Sequence, residues 1–594
     1  MCICDCDVFN YDKICSALSK SGKRWVFEDV NERDILHLKQ KFNVSDLSAS
    51  IALRRSSSVQ ECEEMFFPTI KELLPDPSVL PDSEHAFEFV YNALLDKRKM
   101  AVWGDYDVDG ACSAALLIKY FSSIGIGMTP YIPDRFQEGY GPNQHGLQQL
   151  KNDGVSVVFV VDCGTTAFDP LEWAKSNGID VIIIDHHRVG SSHPKCEAFI
   201  NPKRMDCECS DSIKNLCAGG LVFLFLVGLN RYLRNSSYFE DIDEPNMMLL
   251  MDIVALSTVC DMVLIKGLNR AMVKQGLKVM RCRKNPGISA LFDIARVKES
   301  PTFSHLGYAL GPRINAGGRI GDSSLGVKLL SSKDYIEAMR FARQLNDLNQ
   351  ERQRIEKYVE QQASIQAIEQ KDRPFIFAVG EGWHEGVMGI VAGRLKDAFY
   401  KPSLAITIIG DSAKGSARSI PGLDIGQLIH EAYEQRILSN GGGHFMAGGF
   451  RLEKKNLKSF ETFAEQFFFT NRPTDTIPLI NLDGAISLQT LRSGEFLQSI
   501  EIMEPFGVGY PIPKFLISDV RFEDVIQIGG GHFNVKIVQL DDKKHSAVCF
   551  RAVGNSIGEW LLNNKSELAS CVVSVYVDKK MGLSKAHLVL EDVM

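Results

Sequence analysis

From about residue 99 to residue 187, short apolar runs alternate with helical stretches. "KMAVWGDYDVDG" reads as a strand and a loop, and "ACSAALLIKYFSSIG" as an amphipathic helix stopping at a glycine. "VSVVFVVDCG" reads as a strand, "DPLEWAKSNG" as a helix and "IDVIIIDHH" as a third strand. Apolar strands separated by helices predict a parallel sheet covered on both faces. In such sheets ligands bind beyond the carboxyl ends of the strands. "AGGLVFLFLVGL" at 218–229 falls short of the ~18 apolar residues of a membrane span and reads as a buried helix.

At about 334–370 apolar residues become sparse and opposite charges interleave, which predicts a solvated connecting helix. A second αβ unit follows, with strands in "RPFIFAVG" and "PSLAITIIG" and a glycine-rich loop in "SNGGGHFMAGGFRLE". Beyond it, "KFLISDVRFEDVIQIGGGHFNVKIVQLDDKKHSAVCFRAVG" alternates between turns and predicts a small antiparallel barrel. The expected organisation is an N-terminal extension (1–80), a parallel-sheet α/β domain (81–333), a connecting helix (334–371), a second α/β domain (372–472) and a β-barrel (473–594). No internal repeat interrupts it.

Composition changes this picture little. The 594 residues are 45% hydrophobic and 24% charged, which suits a soluble chain of several domains and no membrane association. "MCICDCDVFNYDK" carries acids where a secretion signal needs bases and a long apolar core. Fifteen scattered cysteines predict a reducing, cytoplasmic setting. The net charge of −8 argues against a surface that grips nucleic acid everywhere, but not against a local basic groove.

The chemistry gathers at the strand ends. "DYDVDG" sets Asp105, Asp107 and Asp109 on alternate positions, which in an extended chain share a face and repel unless a cation lies between them. Asp162 ends the next strand, Asp185, His186 and His187 the third, and Asp261 follows a further apolar run in "IVALSTVCDMV". One strand-end aspartate is ordinarily a cap or turn residue. Four such elements in order point to a divalent-metal site: carboxylates suit Mg²⁺ or Mn²⁺, and a histidine tilts the choice toward Mn²⁺. Two ions about 3.5–4 Å apart would serve an in-line phosphoryl displacement.

Other segments offer phosphate contacts. Gly442, Gly443 and His444 in "GGGH" could form a nest of backbone amides, with a tight turn as the plain alternative. Ser416 and Arg418 in "GSARS" pair a hydroxyl with a fork donor suited to a terminal phosphate. In the barrel Phe515, Phe522, Phe533 and Phe550, interleaved with Lys514, Arg521 and Lys536, could stack bases in a basic groove. Cys2, Cys4 and Cys6, or Cys207, Cys209 and Cys217, lack the usual spacing of a zinc knuckle.

In these motifs the chain resembles the DHH phosphoesterase superfamily and, within it, the RecJ-type single-strand-specific DNA exonucleases, from about residue 80 to the end. "DYDVDG", "VDCG", "DHH" and "STVCD" match the four superfamily motifs. "IPDRFQEGYG" and "GPRINAGGRIG" are RecJ-like and add Arg135, Arg313 and Arg319 to the substrate-binding set. "HEGVMGIVAGRL", "GSARS" and "GGGHFMAGGF" resemble a DHHA-type second lobe, and "EPFGVGYPIPKF" the lead-in to an oligonucleotide-binding (OB) fold. Val108 replaces a usual small residue and "STVCD" replaces "GTVAD"; neither change removes a ligand.

The resemblance implies that Asp107, Asp109, Asp162, His186 and Asp261 are metal ligands, that Asp105 and Asp185 orient them, and that His187 faces the scissile phosphate. It implies a cytoplasmic 5′→3′ exonuclease on single-stranded DNA. Such an enzyme would use two Mn²⁺ or Mg²⁺ ions, release 5′-mononucleotides and act in recombination and repair. Single-strand-binding protein and a RecQ-type helicase are the implied partners. The alternative is a DHH phosphodiesterase for oligoribonucleotides or cyclic dinucleotides, against which stand the length and the barrel. A non-catalytic scaffold of the superfamily would have lost ligand residues that this chain keeps.

Overall fold

The computed structural model describes residues 17–471, 477–539, 543–565, 567–580 and 583–594. They form two compact units, one holding residues up to 318, 322–345 and 479 onward, the other 319–321 and 346–478. The first unit opens with strand β1 (Arg24–Phe27) and helices α1 (Asp46–Arg55) and α2 (Val59–Phe66). Ser45 and Ser58 cap these helices by accepting from the Ser48 and Glu61 amides.

A parallel sheet follows, made of β2 (Met100–Gly104), β3 (Met128–Tyr131), β4 (Val157–Val161), β5 (Asp180–Ile184) and β6 (Ala198–Ile200), in the order β3-β2-β4-β5-β6. β2, β4 and β5 are the strands expected from the pattern. β3 and β6, at four and three residues, are too short to carry a period. Helices α3 (Val108–Ser123), α4 (Phe168–Ser176) and α5 (Ala218–Asn235) cover the sheet. On one face Ala101, Trp103, Val158 and Val160 pack with Leu171 and Ala174 of α4. On the other, the Phe159 ring lies 5.7 Å from Phe121 of α3 and 6.2 Å from Phe225 of α5.

The order of the strands reverses between β2 and β4, the point at which sheets of this kind bind ligands beyond the carboxyl ends. Gly104, Val161 and Ile184 lie in one row of the register. Asp105, Asp162 and Asp185, the next residues, therefore leave the sheet side by side.

Helices α6 (Met251–Cys260), α7 (Gly267–Arg281), α8 (Pro286–Ile294) and α9 (Gly311–Ile320, as far as Gly318) also belong to this unit. The apolar run before Asp261 is thus helix α6 and not a strand. Residues 251–259 of α6 are all buried, and a helix buried all round shows the same continuous apolar run as a buried strand.

Helix α10 (Tyr335–Glu369) begins in the first unit and continues into the second. It is more than the solvated connector its charges suggest: Val359, Ala363 and Ala367 pack into a core with Ile376, Val391 and Leu395. Alanines at four-residue spacing make a buried stripe that looks polar only on average.

The second unit contains β7 (Ile376–Glu381), α11 (Met388–Phe399), β8 (Ser403–Ile409), β9 (Ser412–Arg418), α12 (Ile425–Glu434), β10 (Asn440–His444) and β11 (Ala447–Glu453). Its sheet runs β10-β11-β9-β8-β7, with only β7 and β8 parallel. The "GGGH" segment is neither a nest nor a turn: it is edge strand β10, in a hairpin with β11. A Cβ on Gly443 would come 2.8 Å from the Ala447 carbonyl oxygen, so close packing of the hairpin calls for glycine there.

The chain returns to the first unit through β12 (Leu479–Leu482) and β13 (Gly484–Ala485). The barrel strands β14 (Lys514–Ile528), β15 (His532–Gln539), β16 (Lys544–Cys549), β17 (Ala569–Lys580) and β18 (Leu583–Val593) follow. Their order is β13-β14-β15-β16-β18-β17, and pairing of β14 with β17 closes the sheet as expected of an OB-fold. Phe515, Phe522 and Phe533 fill the barrel core, which withdraws them from the stacking set; only Phe550 is exposed. Lys536 is paired with Asp524 at 2.5 Å, and Arg521 with Glu523 at 3.7 Å.

The N-terminal elements belong to this barrel. β1 pairs with β12, Ile51 and Phe66 join the barrel core, and the Trp25 indole donates to Asp592 Oδ2 at 3.0 Å. Arg270 of α7 ties the pieces together, donating to the carbonyls of Met65, Met503 and Pro505 at 2.5–2.8 Å. Its guanidinium lies 4.5 Å from the Tyr510 ring centroid.

Candidate metal centre and phosphate site

The "DYDVDG" segment does not stay extended. Asp107 is the N-cap of α3, and its Oδ1 accepts from the Asp109 and Gly110 amides at 2.8 and 3.1 Å. Asp109 therefore stands in the first turn of the helix, not on an alternating strand face. A Cβ on Gly110 would come 2.4 Å from the Asp105 carbonyl oxygen, so only glycine lets the loop fold back here. Asp109 is held by the N-terminus of α5: its carboxylate accepts from the Ala218 and Gly219 amides at 2.7 and 2.9 Å, and from the Ser257 hydroxyl.

Three sets of ligand atoms converge, each within 4.8 Å: Asp105, Asp107 and Asp162; Asp109, His186 and Asp261; and Asp162, Asp185, His186 and His187. His186 lies at the junction. Its Nε2 is 3.3 Å from Asp162 Oδ1 and 3.8 Å from Asp109 Oδ2, while its Nδ1 is 3.7 Å from Asp261 Oδ2. Asp162 takes the left-handed conformation, with φ of 59°, to present its carboxylate. Burial and then mutual repulsion raise the carboxyls of Asp105, Asp107 and Asp162, and push Asp261 up to about 9. Burial also lowers the His186 imidazole, which favours the neutral form.

This donor set fits a pair of hard divalent cations. Asp105 Oδ1 and Asp261 Oδ2 are buried without a hydrogen-bond partner, the condition of a carboxylate oxygen reserved for an ion. One imidazole among five carboxylates suits Mn²⁺ or Mg²⁺. Asp105, expected to orient the ligands, stands within a ligand group itself.

Asp185 sits apart in function, fully committed to hydrogen bonds. Its Oδ1 accepts from the His186 and His187 amides, and from His187 Nδ1 at 2.7 Å; its Oδ2 accepts from the Thr165 amide and hydroxyl. Burial opposes ionisation, but these donors outweigh it and hold the Asp185 carboxyl well below the usual range. Burial likewise works against a His187 cation, yet the Asp185 contact wins and raises its pKa.

Three neighbours escaped the sequence reading. The Tyr140 hydroxyl lies 3.3 Å from His187 Nδ1 and donates to the Asp162 carbonyl at 3.1 Å. Asn201 bridges the His187 carbonyl and the Thr165 hydroxyl at 3.0 and 3.1 Å. Lys203 faces Asp261 and Asp185. Each is a lone residue without motif spacing; only the RecJ-like "EGYG" around Tyr140 offered a signal.

Of the arginines, Arg135 lies 5.0 Å from the Tyr106 ring and close enough to Asp105 to favour its charged form. Arg313 on α9 donates to the Ala309 carbonyl at 2.6 Å. Arg319 belongs to the second unit, where Nη1 donates to the Gly386 carbonyl at 3.2 Å. A Cβ on Gly318 would come 2.5 Å from the Tyr106 carbonyl oxygen, so α9 rests directly on the metal loop.

In the second unit, the register sets His444, Ala447 and Arg418 in one cross-strand row, with Gly442, Gly449 and Ser416 in another. Residues opposed in this way share a sheet face. Arg418 lies against Gly389 in the first turn of α11, where a Cβ would meet Nη2 at 2.9 Å, and burial lowers its pKa. Gly442 and His444 are exposed on that face. The row joins a fork donor, a hydroxyl, an imidazole and a helix N-terminus, all suited to a phosphate. Cys2, Cys4 and Cys6 lie outside the described residues. Cys207, Cys209 and Cys217 join none of the candidate metal groups.

A parallel sheet ending in a cluster of carboxylates and imidazoles, joined to a second α/β domain and an OB-type barrel, defines a DHH-type phosphoesterase. The DHH family N-terminal domain model matches residues 99–258, the DHHA1 domain model 372–469 and the RecJ OB domain model 482–592. The chain is 35% identical over 519 residues to the single-stranded-DNA-specific exonuclease RecJ of Escherichia coli, covering 85% of this chain and 86% of that one. To the protein of that name from Bacillus subtilis it is 31% identical over 527 residues, 87% of this chain and 64% of that longer one. A crystal structure of RecJ with Mn²⁺ from Thermus thermophilus matches with a TM-score of 0.78 at 23% identity, over 96% of this chain and 79% of that one. The chain belongs to the RecJ family of single-stranded-DNA-specific exonucleases.

Proposed function

We propose that this protein is a metal-dependent 5′→3′ exonuclease that hydrolyses single-stranded DNA to 5′-mononucleotides. The observation that carries the chemistry is the pair of ligand groups centred on His186 and Asp162. Asp105, Asp107 and Asp162 would hold one divalent ion, and Asp109, His186 and Asp261 the other. Bound there, Mn²⁺ or Mg²⁺ supplies a hydroxide nucleophile at neutral pH and neutralises charge on the phosphate. Asp185 fixes the His187 ring through Nδ1, leaving Nε2–H to donate to a phosphate oxygen. Lys203 and Arg135 add positive charge beside the carboxylates.

Arg418, Ser416 and His444 read the 5′-terminal phosphate, which carries up to one more negative charge than an internal diester. Arg313 and Arg319 guide the strand. The barrel holds the following nucleotides, with exposed Phe550 as a stacking ring and the His532 ring set edge-on to it 5.1 Å away. Among the described residues no helix is long and apolar enough to cross a membrane. The described cysteines are free thiols, which a reducing cytoplasm preserves, and there the enzyme would act in recombination and repair. Single-strand-binding protein and a RecQ-type helicase would present or unwind its strands.

Labelled single-stranded DNA and a short RNA, each incubated with Mn²⁺ and with EDTA, test the reading. Mn²⁺-dependent release of mononucleotides from the DNA is expected. Preference for the short RNA would turn the assignment to the oligoribonucleotide class.

A further inference from the structure

A cavity of about 360 Å³ opens in the first unit among residues that the metal centre does not use. Lys119 from the last turns of α3 faces it, with Lys284 and Lys333. Among the described residues none of these three ammonium groups has a hydrogen-bond or ion-pair partner, and Lys119 and Lys333 repel each other. Unpaired surface lysines are ordinary, but three converging on one cavity, one of them half-buried, hold charge that only an anion would relieve. Burial lowers the Lys119 pKa, and the one acid that offsets this, Asp252, is itself buried, its Oδ1 accepting from the Ile253 amide at 2.7 Å. Leu250 and Asn285 also line the cavity, and the Asn285 side chain caps α8 by accepting from the Gly287 and Ile288 amides.

The rest of the lining is mixed, with Ser122, Ser123, Asn246 and Ser331 beside apolar side chains. Ile118, Leu249 and Leu250 face the same space, and Leu249 is 46% exposed. Three cations, several hydroxyl and amide groups and an apolar patch, in a space of about 360 Å³, match a polyphosphate attached to a flat ring better than a bare inorganic anion.

We propose that this cavity is a binding site for a nucleoside polyphosphate, separate from the metal centre, with the phosphates on Lys119, Lys284 and Lys333 and the base on Leu249 and Ile118. α3 and α6, which flank it, carry Asp109 and Asp261 toward their opposite ends, so the cavity lies at the far ends of two helices that frame the metal cluster.

The test is equilibrium binding of ADP and of inorganic pyrophosphate to the full chain in EDTA, so that no metal recruits phosphate. Saturable binding of ADP with one site per chain is expected, weakening with salt. The double variant Lys284→Glu/Lys333→Glu alters exposed residues and leaves the fold intact; it should weaken ADP by at least about 10-fold, the loss of a charge-assisted contact. Arg418→Ala should change ADP binding less than about twofold. Pyrophosphate should bind several-fold more weakly than ADP. Absence of saturable binding, equal binding by the lysine double variant, or loss through Arg418→Ala would overturn the site. Equal affinity for ADP and pyrophosphate would overturn the nucleoside assignment. None of these outcomes depends on nuclease activity.

Discussion

His187 Nδ1 stands 2.7 Å from Asp185 Oδ1, and the same oxygen accepts the His187 amide, so side chain and backbone fix one imidazole from one carboxylate. Asp185 Oδ2 accepts from the Thr165 amide and hydroxyl, which holds the carboxylate at this end of β5. Asp185→Asn would keep the size and lose the strong acceptor. It should lower kcat roughly 10–100-fold, as loss of a group supporting a reactive histidine does, with KM for DNA little changed. A pH–rate profile should show the histidine limb moved to lower pH, because the carboxylate raises the His187 pKa. An unmoved limb would remove Asp185 from the role of positioning residue.

The crowding of Asp105, Asp162 and Asp261 makes the metal-free protein sensitive to pH. Their folded-state pKa values lie above the unfolded values of about 3.9, so folding takes up protons. This contribution to stability is full below about pH 4 and is lost as pH rises, through about 9 for Asp261. In EDTA the melting temperature should fall as pH rises from about 6 to about 9, and Mn²⁺ should abolish that slope. Asp162→Ala should abolish nuclease activity yet raise the metal-free melting temperature at about pH 8 by about 2 °C or more, since one repelling charge is gone. A lowered melting temperature would mean that Asp162 supports the fold rather than the ion.

The strand ends were legible because β2, β4 and β5 are buried on both faces, and nothing about burial calls for Asp105, Asp162 or Asp185 after them. Asp261 was legible as chemistry but not as structure, since an apolar run of about ten residues fits helix or strand. The pattern hid "GGGH" as well: glycine carries no periodicity, so strand β10 looked like a loop. Nothing local announced that Trp25 meets Asp592 or that Phe66 joins the barrel core, contacts that only the folded chain brings together. Asn201 and Lys203 entered the site through tertiary position alone.

Arg270 makes the barrel and the N-terminal helices one body with the sheet domain. Three carbonyls, from Met65, Met503 and Pro505, depend on its guanidinium. Arg270→Ala would leave them buried without donors and open a cavity under Tyr510, at a cost of more than about 3 kcal/mol. Arg270→Lys should recover only part of that, because an ammonium cannot reproduce the fork. Chemical denaturation should show the barrel unfolding before the sheet domain in Arg270→Ala. A single unchanged transition would show that the apolar contacts of Ile51 and Phe66 suffice.

Polarity of digestion should depend on the row that joins Arg418, Ala447 and His444 across three strands. A 5′-phosphate differs from internal phosphates by one extra oxygen and up to one more charge, and a guanidinium fork discriminates that difference. Arg418 is already partly desolvated beside Gly389, so its charge is poorly screened and its contact with a phosphate is strengthened. Arg418→Ala should therefore weaken capture of 5′-phosphorylated strands by about 1–3 kcal/mol, and of 5′-hydroxyl strands much less. Ser416→Ala should act in the same direction with a smaller effect, since it removes a neutral donor. The measurement is kcat/KM on matched strands that differ only at the 5′ end. Equal losses on both would place Arg418 on the general backbone and leave the direction of digestion to another part of the chain.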